Sequence, residues 1–364
     1  MEMIAMTEHP FIKESRFFSR LEDGRVQCEV CPHHCRLQEG QLGRCYVREC
    51  RAGKMVSTTY GCASGFCVDP IEKKPLNHFL PGTAVLSFGT VGCNLSCLFC
   101  QNWHISRTRD PGATGESAPP ESIAKMAART ESRSVAFTYN EPVVFLEYAV
   151  DTARACHERG IKTVAVTNGY IAPGAREEFY AHMDAANVDL KGFTDRFYTK
   201  LCGGHLQPVL DTLMYIKRHT SVWLEVTTLL IPGENDSPQE LDLLTRWVCK
   251  ELGPDVPLHF TAFHPDWKMM DHAPTPASTL SHAREIGAAN GLHYIYTGNV
   301  RDVRGSSTFC RQCGTLLIER DGFDITAWHL KNGGICAACG AVCPGVFAER
   351  PGAWGSQRQP ITTP

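Results

Sequence analysis

Between residues 84 and 300 the chain alternates short β-branched and apolar runs with longer segments whose apolar residues recur at helical spacing. Short apolar runs that are bounded by polar or glycine-containing stretches are typical of strands buried in a sheet. The runs predict strands at 84–89, 134–139, 162–167, 187–191, 221–230, 257–262 and 292–296.

The segments between these strands predict helices. Two of them repeat apolar residues with a helical period, Phe145, Tyr148, Ala149 and Ala153 in the first and Leu241, Leu244 and Val248 in the second. Pro142 stands where the first turn of the earlier helix is expected, a position that suits proline. Strands that alternate with helices connect by right-handed crossovers into a mainly parallel sheet. The pattern therefore predicts an α/β fold, with the strands arranged as an open, partial barrel.

The length and composition divide the chain into several units. It has 364 residues, of which 43% are hydrophobic and 21% charged, as in an ordinary globular protein with a sizeable core. We expect a cysteine-rich N-terminal unit over 1–80, a core domain over 81–304, a small cysteine-containing unit over 305–348 and a disordered tail over 349–364.

The charge and hydropathy exclude some classes of function. A net charge of −3 gives no indication of binding to nucleic acid or to an acidic membrane surface. No run approaches about 18 consecutive apolar residues, and the first residues lack the pattern of a signal peptide. We therefore expect a cytoplasmic protein that engages neither nucleic acid nor membrane.

Fifteen of the eighteen cysteines fall into groups at 28–67, 93–100 and 310–343. Secreted disulfide scaffolds are small and rich in cysteine along their whole length, so grouped pairs in a chain without a leader favour metal ligation in a reducing compartment. The segment between the second and third groups carries only Cys156, Cys202 and Cys249. These three are expected to pack in the core.

The central group, Cys93, Cys97 and Cys100, lies in a short loop after the first predicted strand. A cubane iron–sulfur cluster normally takes four cysteine ligands, and one held by three cysteines keeps an iron open for a substrate or cofactor. The alternatives are a structural zinc ion or a cluster that is completed by a remote fourth ligand.

Polar motifs follow each predicted strand. After the cysteine loop come Thr138-Tyr139-Asn140-Glu141-Pro142, Thr167-Asn168-Gly169-Tyr170, Asp189-Leu190-Lys191-Gly192, Pro232-Gly233-Glu234-Asn235-Asp236, Phe263-His264-Pro265 and Thr297-Gly298-Asn299. Function in parallel α/β folds lies at the carboxyl ends of the strands. A single polar loop would mean little, but a motif after every strand predicts the rim of one pocket.

The spacing C-x3-C-x-aromatic-C, with Phe99 before the last cysteine, resembles the signature of radical S-adenosylmethionine (SAM) enzymes. Together with the neighbouring motifs, the chain is most similar to the radical SAM member of the AmmeMemoRadiSam system, which is related to pyruvate formate-lyase activating enzymes. The resemblance implies a partial parallel (β/α)6 radical SAM barrel, to which the seventh strand is an addition. It also implies Memo-like and AMMECR1-like proteins as partners, but it does not give the substrate.

The chemistry that this resemblance implies is reductive cleavage of SAM. A [4Fe-4S] cluster on Cys93, Cys97 and Cys100 would receive one electron from an external reductant such as flavodoxin or ferredoxin. Cleavage would release methionine and a 5′-deoxyadenosyl radical, which abstracts a hydrogen atom from a substrate. The cofactor supplies the difficult chemistry, and the protein orients it and excludes water.

The resemblance also implies which residues contact SAM. Asn140 and Glu141 stand in place of the acidic motif that accepts a hydrogen bond from the SAM amino group, and the usual Gly-Gly-Glu sequence is absent, so either residue could serve. Asn168 matches the position that contacts the ribose hydroxyls.

Further positions resemble those near SAM in the activating enzymes. Asp189, Lys191 and His264 are the candidates, with a surface ion pair and a hydrogen-bonded loop histidine as the alternative interpretations. Glu225 and Asp236 are weaker candidates, because either fits an ordinary strand or turn residue.

The N-terminal group, Cys28, Cys31, Cys35 and Cys45, has the spacing C-x2-C-x3-C-x9-C. Four such thiolates could surround a zinc ion or hold an auxiliary iron–sulfur cluster. A reduced group of cysteines without a ligand is the third possibility.

The C-terminal group, Cys310, Cys313, Cys336 and Cys339, forms two C-x2-C-G knuckles. Paired knuckles place four thiolates tetrahedrally around zinc, so the sequence predicts a structural zinc ribbon, with rubredoxin-like iron as the alternative. The segment is too small for a core of its own and is expected to depend on the metal for folding.

Two other functions compete with a radical SAM enzyme of unidentified substrate. One is a glycyl-radical activating enzyme that acts on a partner polypeptide. The other is a non-catalytic, metal-dependent binding or scaffold protein in which every cysteine group is structural. The scaffold hypothesis explains the outer cysteine groups, but it does not explain three cysteines amid polar strand-end motifs.

Overall fold

A computed structural model describes residues 11–108 and 115–361 of the chain. Its N-terminal part is built from the short strands β1 (Lys13–Glu14), β2 (Phe18–Arg20), β3 (Val26–Cys28), β4 (Arg36–Leu37), β5 (Arg48–Arg51), β6 (Lys54–Ser57), β7 (Cys62–Ala63) and β8 (Phe66–Pro70). Six of them form two antiparallel sheets, β1-β6-β5 and β2-β3-β4, and β8 joins the largest sheet of the protein.

Parallel strands form the centre of the largest sheet. The bounds of the next strands along the chain are β9 (Ala84–Phe88), β10 (Glu116–Ser117), β11 (Ser134–Phe137), β12 (Lys162–Thr167), β13 (Ala185–Asp189), β14 (Trp223–Leu230), β15 (Leu258–Ala262) and β16 (Ile295–Gly298). The order is β16-β15-β14-β13-β12-β11-β9, and each neighbouring pair is parallel. The prediction of an α/β fold with a mainly parallel sheet is confirmed.

Helices connect these strands, as the apolar periodicity predicts. Their bounds are α1 (Trp103–Ser106), α2 (Pro120–Arg129), α3 (Leu146–His157), α4 (Pro173–Tyr180), α5 (Asp195–Phe197), α6 (Gln207–His219), α7 (Pro238–Trp247), α8 (Ala277–Ala289) and α9 (Val303–Ser306). Short 3-10 or π-helical turns occupy 71–73, 142–145, 198–202 and 248–252. The apolar residues that predict α3 and α7 are buried in the main apolar core. The Ser237 hydroxyl caps α7 by accepting the Glu240 N–H, with proline in the first turn.

The C-terminal part contains the strands β17 (Thr308–Phe309), β18 (Leu316–Asp321), β19 (Asp324–Trp328), β20 (Leu330–Lys331), β21 (Ile335–Cys336) and β22 (Gln359–Ile361). Five of them form two small antiparallel sheets, β17-β18-β19 and β20-β21. A second apolar cluster joins this part to the core domain, because Tyr294 and Tyr296 pack with Leu317 and Ile318.

The prediction of a disordered tail from residue 349 is wrong as far as residue 361. Strand β22 pairs antiparallel with β8 at the edge of the largest sheet, with Gln359 opposite Val68. The approach is held by backbone hydrogen bonds from Gly352 to Pro81 and from Trp354 to Gly82. Composition predicted disorder because it does not show that β8 leaves an edge open for pairing. Residues 362–364 of the predicted tail lie outside the described part of the chain.

The largest sheet also crosses the boundary predicted near residue 81. Strand β8, from the cysteine-rich segment, pairs antiparallel with β9. The described part of this sheet therefore has nine strands, seven parallel and two antiparallel. Among the helices in residues 11–108 and 115–361, none is both long and apolar enough to cross a membrane.

Candidate functional site

The carboxyl ends of the parallel strands border an open cavity of about 1120 Å³. Eight of the predicted site residues lie in its wall, namely Cys93, Cys97, Cys100, Asn140, Glu141, Asn168, Asp189 and Lys191. They come from the segments after β9, β11 and β12, from the last residue of β13 and from the segment that follows it. The topology therefore brings together residues that are almost a hundred positions apart in the sequence.

The cysteine loop is supported from behind by the segment that ends the π-helical turn at 198–202. The Ser96 N–H donates to the Cys202 carbonyl at 2.7 Å, and the Leu98 N–H donates to the Leu201 carbonyl at 2.9 Å. The Cys202 thiol contacts Cys97 but is fully buried, and it is not part of the cavity wall. The side of the three loop cysteines that faces the cavity is therefore free of a fourth cysteine among the described residues.

Asn140 holds the loop by its side-chain amide. The amide oxygen accepts the Thr90 N–H at 2.9 Å. The amide nitrogen lies 3.0 Å from the Val91 carbonyl, 2.9 Å from the Gly92 carbonyl and 3.1 Å from the Thr90 hydroxyl. Since both ends of this amide bind the loop backbone, Asn140 positions the cysteines.

Glu141 connects the ends of β11 and β12 below the cavity. Its carboxylate accepts the Thr167 hydroxyl at 2.6 Å, the Asn168 N–H at 2.7 Å and the Val143 N–H at 3.1 Å. Burial raises the pKa of Glu141 to about 7, although these hydrogen bonds oppose the shift. Each carboxylate oxygen has more than one acceptor site, so Glu141 can accept a further hydrogen bond from a ligand in the cavity.

Asn168 lies against the first cysteine of the loop. Its amide nitrogen is 3.9 Å from the Cys93 sulfur and donates to the Asn94 side-chain oxygen at 2.9 Å. The Asn94 amide in turn donates to the Tyr170 carbonyl at 2.7 Å. This chain of amides ties Cys93 to the end of β12.

Asp189 and Lys191 form an ion pair in the cavity wall, with 2.8 Å between the carboxylate and the ammonium. Burial alone would lower the pKa of Lys191, but the negative charges of Asp189, Cys97 and Cys202 together outweigh burial and raise the pKa above its ordinary value. The pair faces the site rather than the outer surface.

His264, which was predicted to lie near SAM, is not among the residues in the wall of this cavity. It is exposed, and its only hydrogen bond in the described chain is a 3.4 Å contact to the neighbouring Pro265 carbonyl. Strand β15 ends at Ala262, and Phe263 turns into the core, which leaves the next side chain outside. The residue of β15 that lies in the cavity wall is Thr261.

The two weaker candidates have structural roles. Glu225 is buried and accepts hydrogen bonds from the backbone of Asn77 and His78 and from the His259 ring, which anchors the connector before β9 to the sheet. Asp236 accepts the Gly233 N–H at 2.9 Å within a turn. Neither residue is in the wall of the cavity.

Tyr139 is a site residue that the sequence motif contains but does not single out. Its backbone has φ +71°, a conformation that costs free energy in residues other than glycine, and its carbonyl accepts the Asn102 amide at 2.8 Å. Its hydroxyl donates to Asp69 at 3.0 Å. Only the antiparallel pairing of β8 with β9 brings Asp69 here, and no local pattern could predict that contact.

The C-terminal cysteines converge on one point. All four sulfurs lie within 4.8 Å of one another, with 3.6 Å between Cys310 and Cys339 and 3.8 Å between Cys313 and Cys336. Sulfurs that surround a zinc ion tetrahedrally at about 2.3 Å are about 3.8 Å apart. The four-cysteine group therefore fits a single metal ion.

The central cysteines have a different geometry. Within residues 11–108 and 115–361, the C-terminal group is the only one in which three or more ligand-type atoms lie within 4.8 Å of one another. The sulfurs of Cys93, Cys97 and Cys100 are therefore spread more widely than the ligands of one ion. A cubane cluster attaches its cysteines to separate irons. The loop thus fits a cluster that faces the cavity.

The comparison with known families agrees with this geometry. The model of the radical SAM superfamily matches residues 88–244, which contain the cysteine loop and the strand ends from β9 to β14. The chain belongs to the radical SAM superfamily, and membership implies a [4Fe-4S] cluster and SAM. The three loop cysteines and the polar cavity are suited to holding both.

Similarity to individual proteins extends over different parts of the chain. An uncharacterised protein of Methanocaldococcus jannaschii is 41% identical over 331 residues, which cover 90% of this chain and 98% of that protein. Pyruvate formate-lyase 1-activating enzyme of Escherichia coli K12 is 26% identical over 180 residues, covering 46% of this chain and 70% of the enzyme. GTP 3′,8-cyclase of Limosilactobacillus fermentum is 25% identical over 257 residues, covering 64% of this chain and 74% of the cyclase. Because these two enzymes act on different substrates, the family likeness alone does not assign one here.

Proposed function

We propose that the protein cleaves SAM reductively and uses the resulting 5′-deoxyadenosyl radical to abstract hydrogen from a substrate. The observation that carries this proposal is the placement of Cys93, Cys97 and Cys100 on one cavity wall, spread too widely for a single ion and without a fourth cysteine facing them in the described chain. Cys93, Cys97 and Cys100 would hold the cluster, and the chemistry that it would supply when bound is one-electron reduction of SAM with cleavage of a carbon–sulfur bond.

The residues around the cavity have two roles, which are to orient the cysteine loop and to contact SAM. Asn140 and Asn168 orient the cysteine loop, because their amides are engaged with its backbone, with Asn94 and with Cys93. We assign the acceptor of the SAM amino group to Glu141, whose oxygens retain acceptor sites. The ion pair of Asp189 and Lys191 offers an acceptor for ribose hydroxyls and a cation for the SAM carboxylate.

The resemblance to the AmmeMemoRadiSam system supports further proposals about partners. We propose that a flavodoxin or ferredoxin supplies the electron, and that Memo-like and AMMECR1-like proteins associate with this chain. Their copurification with the tagged protein from cells, and its loss after mutation of one partner's interface, would test the association.

We also propose that Cys310, Cys313, Cys336 and Cys339 bind zinc in a structural zinc ribbon. The sulfur separations of 3.6 and 3.8 Å support this assignment. Tetrahedral thiolates without an open ligand position favour a structural role over a catalytic one.

A second candidate function is activation of a glycyl-radical enzyme. The similarity to the Escherichia coli activating enzyme over 180 residues supports it. The two functions differ in the substrate, because an activating enzyme abstracts hydrogen from a partner polypeptide. A carbon-centred radical detected on a partner protein after turnover would favour this candidate over a small-molecule reaction.

The proposed function is tested by anaerobic incubation of the reconstituted protein with SAM and a strong reductant, followed by assay for 5′-deoxyadenosine. We expect product from the wild type and none from Cys97→Ala. The matched control is Cys202→Ala, which removes the thiol behind Cys97 and should still form product. Loss of iron in Cys202→Ala would instead identify Cys202 as the remote fourth ligand, and a wild type that holds the cluster but forms no product would favour the scaffold hypothesis.

A further inference from the structure

The N-terminal cysteines surround a cavity of their own. Cys28, Cys31, Cys35 and Cys45 all line one small, partly enclosed cavity, which is separate from the SAM cavity. Cys28 and Cys45 are buried, and the other two are half-buried. Four thiols from a span of 18 residues thus face a common space.

The separation of these sulfurs argues against a single metal ion. No three of them lie within 4.8 Å of one another, whereas the C-terminal four meet that limit. A tetrahedral zinc ion would need sulfurs about 3.8 Å apart. Four thiols that are more widely spread around a partly enclosed cavity fit a larger inorganic centre.

The surroundings of the thiols suit iron–sulfur ligation. Val30, Val143 and Val144 form an apolar wall. Backbone N–H groups point at the sulfurs, from Val30 to Cys28 and from Val47 to Cys45. Hydrogen bonds to cysteine sulfur and exclusion of solvent are the features by which proteins stabilise and tune bound clusters.

A buried cation stands at the same cavity. The Arg48 guanidinium is 2% exposed, lies in the cavity wall and pairs with Glu147 at 2.7 Å. It also donates to the Ser15 hydroxyl and to the Val144 carbonyl. Thiolate ligands make a cluster anionic, and a fixed cation in its wall offsets that charge.

We propose that Cys28, Cys31, Cys35 and Cys45 bind a second, fully ligated [4Fe-4S] cluster. This site is in direct contact with the catalytic loop. The His33 ring, also in the cavity wall, donates to the Asn94 carbonyl at 2.7 Å, and Asn94 follows the first catalytic cysteine. The inference does not depend on the proposed function, since it concerns cysteines outside the SAM cavity.

The test uses the full-length protein with Cys93→Ala, Cys97→Ala and Cys100→Ala combined, which leaves the N-terminal cysteines intact. After anaerobic reconstitution with iron and sulfide, this variant should retain about four iron and four sulfide per chain, with the spectrum of a cubane cluster. It should also hold about one zinc, at the C-terminal group. A variant with no iron and about two zinc, or with no iron and about one zinc, would overturn the proposal.

Two further variants test the proposal in case the triple variant fails to fold. The wild type should bind about eight iron, and the Cys31→Ala, Cys35→Ala double variant about four, because one cubane is lost. Cys249→Ala, which removes a half-buried cysteine outside every group, should keep about eight. A wild type with only about four iron, all lost on removing the catalytic cysteines, would overturn the second cluster while leaving the proposed function intact.

Discussion

At the scale of single residues, Asn140 determines where the catalytic cysteines lie. Its side-chain amide forms hydrogen bonds with Thr90, Val91 and Gly92, which precede the first cysteine of the loop. The residue is buried, so its loss would leave backbone groups of the loop without their hydrogen-bond partners. The sequence placed Asn140 in the site through its motif, but the partners lie about 50 residues away, and only the fold reveals them.

The prediction from this contact concerns Asn140→Asp. Aspartate keeps the acceptor for the Thr90 N–H but loses the donor to the Val91 and Gly92 carbonyls, so we expect the free energy of unfolding to fall by about 1–3 kcal/mol. Iron should leave the catalytic site faster in the presence of a chelator, measured by absorbance. The control is Asn290→Asp, which removes a comparable amide donor between α7 and α8. Equal rates of iron loss in the two variants would contradict the positioning role.

At the scale of elements, the cysteine loop packs directly on the N-terminal unit. Gly92 has φ +84°, and a Cβ there would lie 2.3 Å from the Cys45 carbonyl oxygen and 2.9 Å from a Val47 methyl group. Only glycine permits this approach. The sequence shows the spacing of the cysteines directly, because that spacing is local. It does not show that the cysteine loop contacts the segment around Cys45.

Gly92→Ala should therefore disturb both cysteine sites. We expect lower thermal stability and a lower iron content, because the Cβ combines a strained backbone with a clash. Gly160→Ala is the matched control, since Gly160 has φ +69° but nothing within 4 Å of the added Cβ. It should show only the backbone penalty, of about 1 kcal/mol. A loss in Gly92→Ala no larger than in Gly160→Ala would show that the close approach is unimportant.

The C-terminal group provides a second prediction at this scale. Cys336→Ala should lower the zinc content from about one per chain to near zero and destabilise the β17-β18-β19 sheet, because four thiolates are required to close the site. Cys343→Ala, a nearby cysteine outside the group of four, should keep the zinc. Metal analysis and the fluorescence of Trp328, which packs on Phe347, measure both effects. Iron in place of zinc would support the rubredoxin-like alternative.

At the scale of the whole molecule, the predicted units are not independent. The seven parallel strands were predictable because β-branched runs and helical periods are local patterns. The outer strands β8 and β22 were not predictable from local patterns. Strand β8 pairs with the edge strand β9 and β22 pairs with β8, and these edges exist only after the sheet has formed. His78, in the connector before β9, contacts both the C-terminal part and the core domain. Its ring donates to the Pro344 carbonyl of the C-terminal part and accepts from the Tyr296 hydroxyl of β16, each at 2.6 Å.

This junction should make stability depend on pH. Burial lowers the pKa of His78 from its ordinary 6.5 to about 4, so the folded protein resists protonation that the unfolded chain accepts. The unfolding free energy should therefore fall as pH drops from 6.5 towards 4, by up to about 3 kcal/mol from this group. His78→Gln cannot titrate and should show a flatter profile of melting temperature against pH, whereas His282→Gln, on the exposed face of α8, should follow the wild type. Identical slopes in all three proteins would exclude His78 as the cause.

Binding of SAM to an open iron at the three-cysteine loop is measured most directly by electron–nuclear double resonance on the reduced protein, with SAM that carries ¹⁵N in its amino group. If the three-cysteine loop holds a cluster with an open iron in the polar cavity, the spectrum should show a ¹⁵N coupling. The coupling should be absent in Cys97→Ala, and a second, fully ligated cluster would not produce it. A wild-type protein that contains the cluster and binds SAM, yet shows no ¹⁵N coupling, would contradict the account.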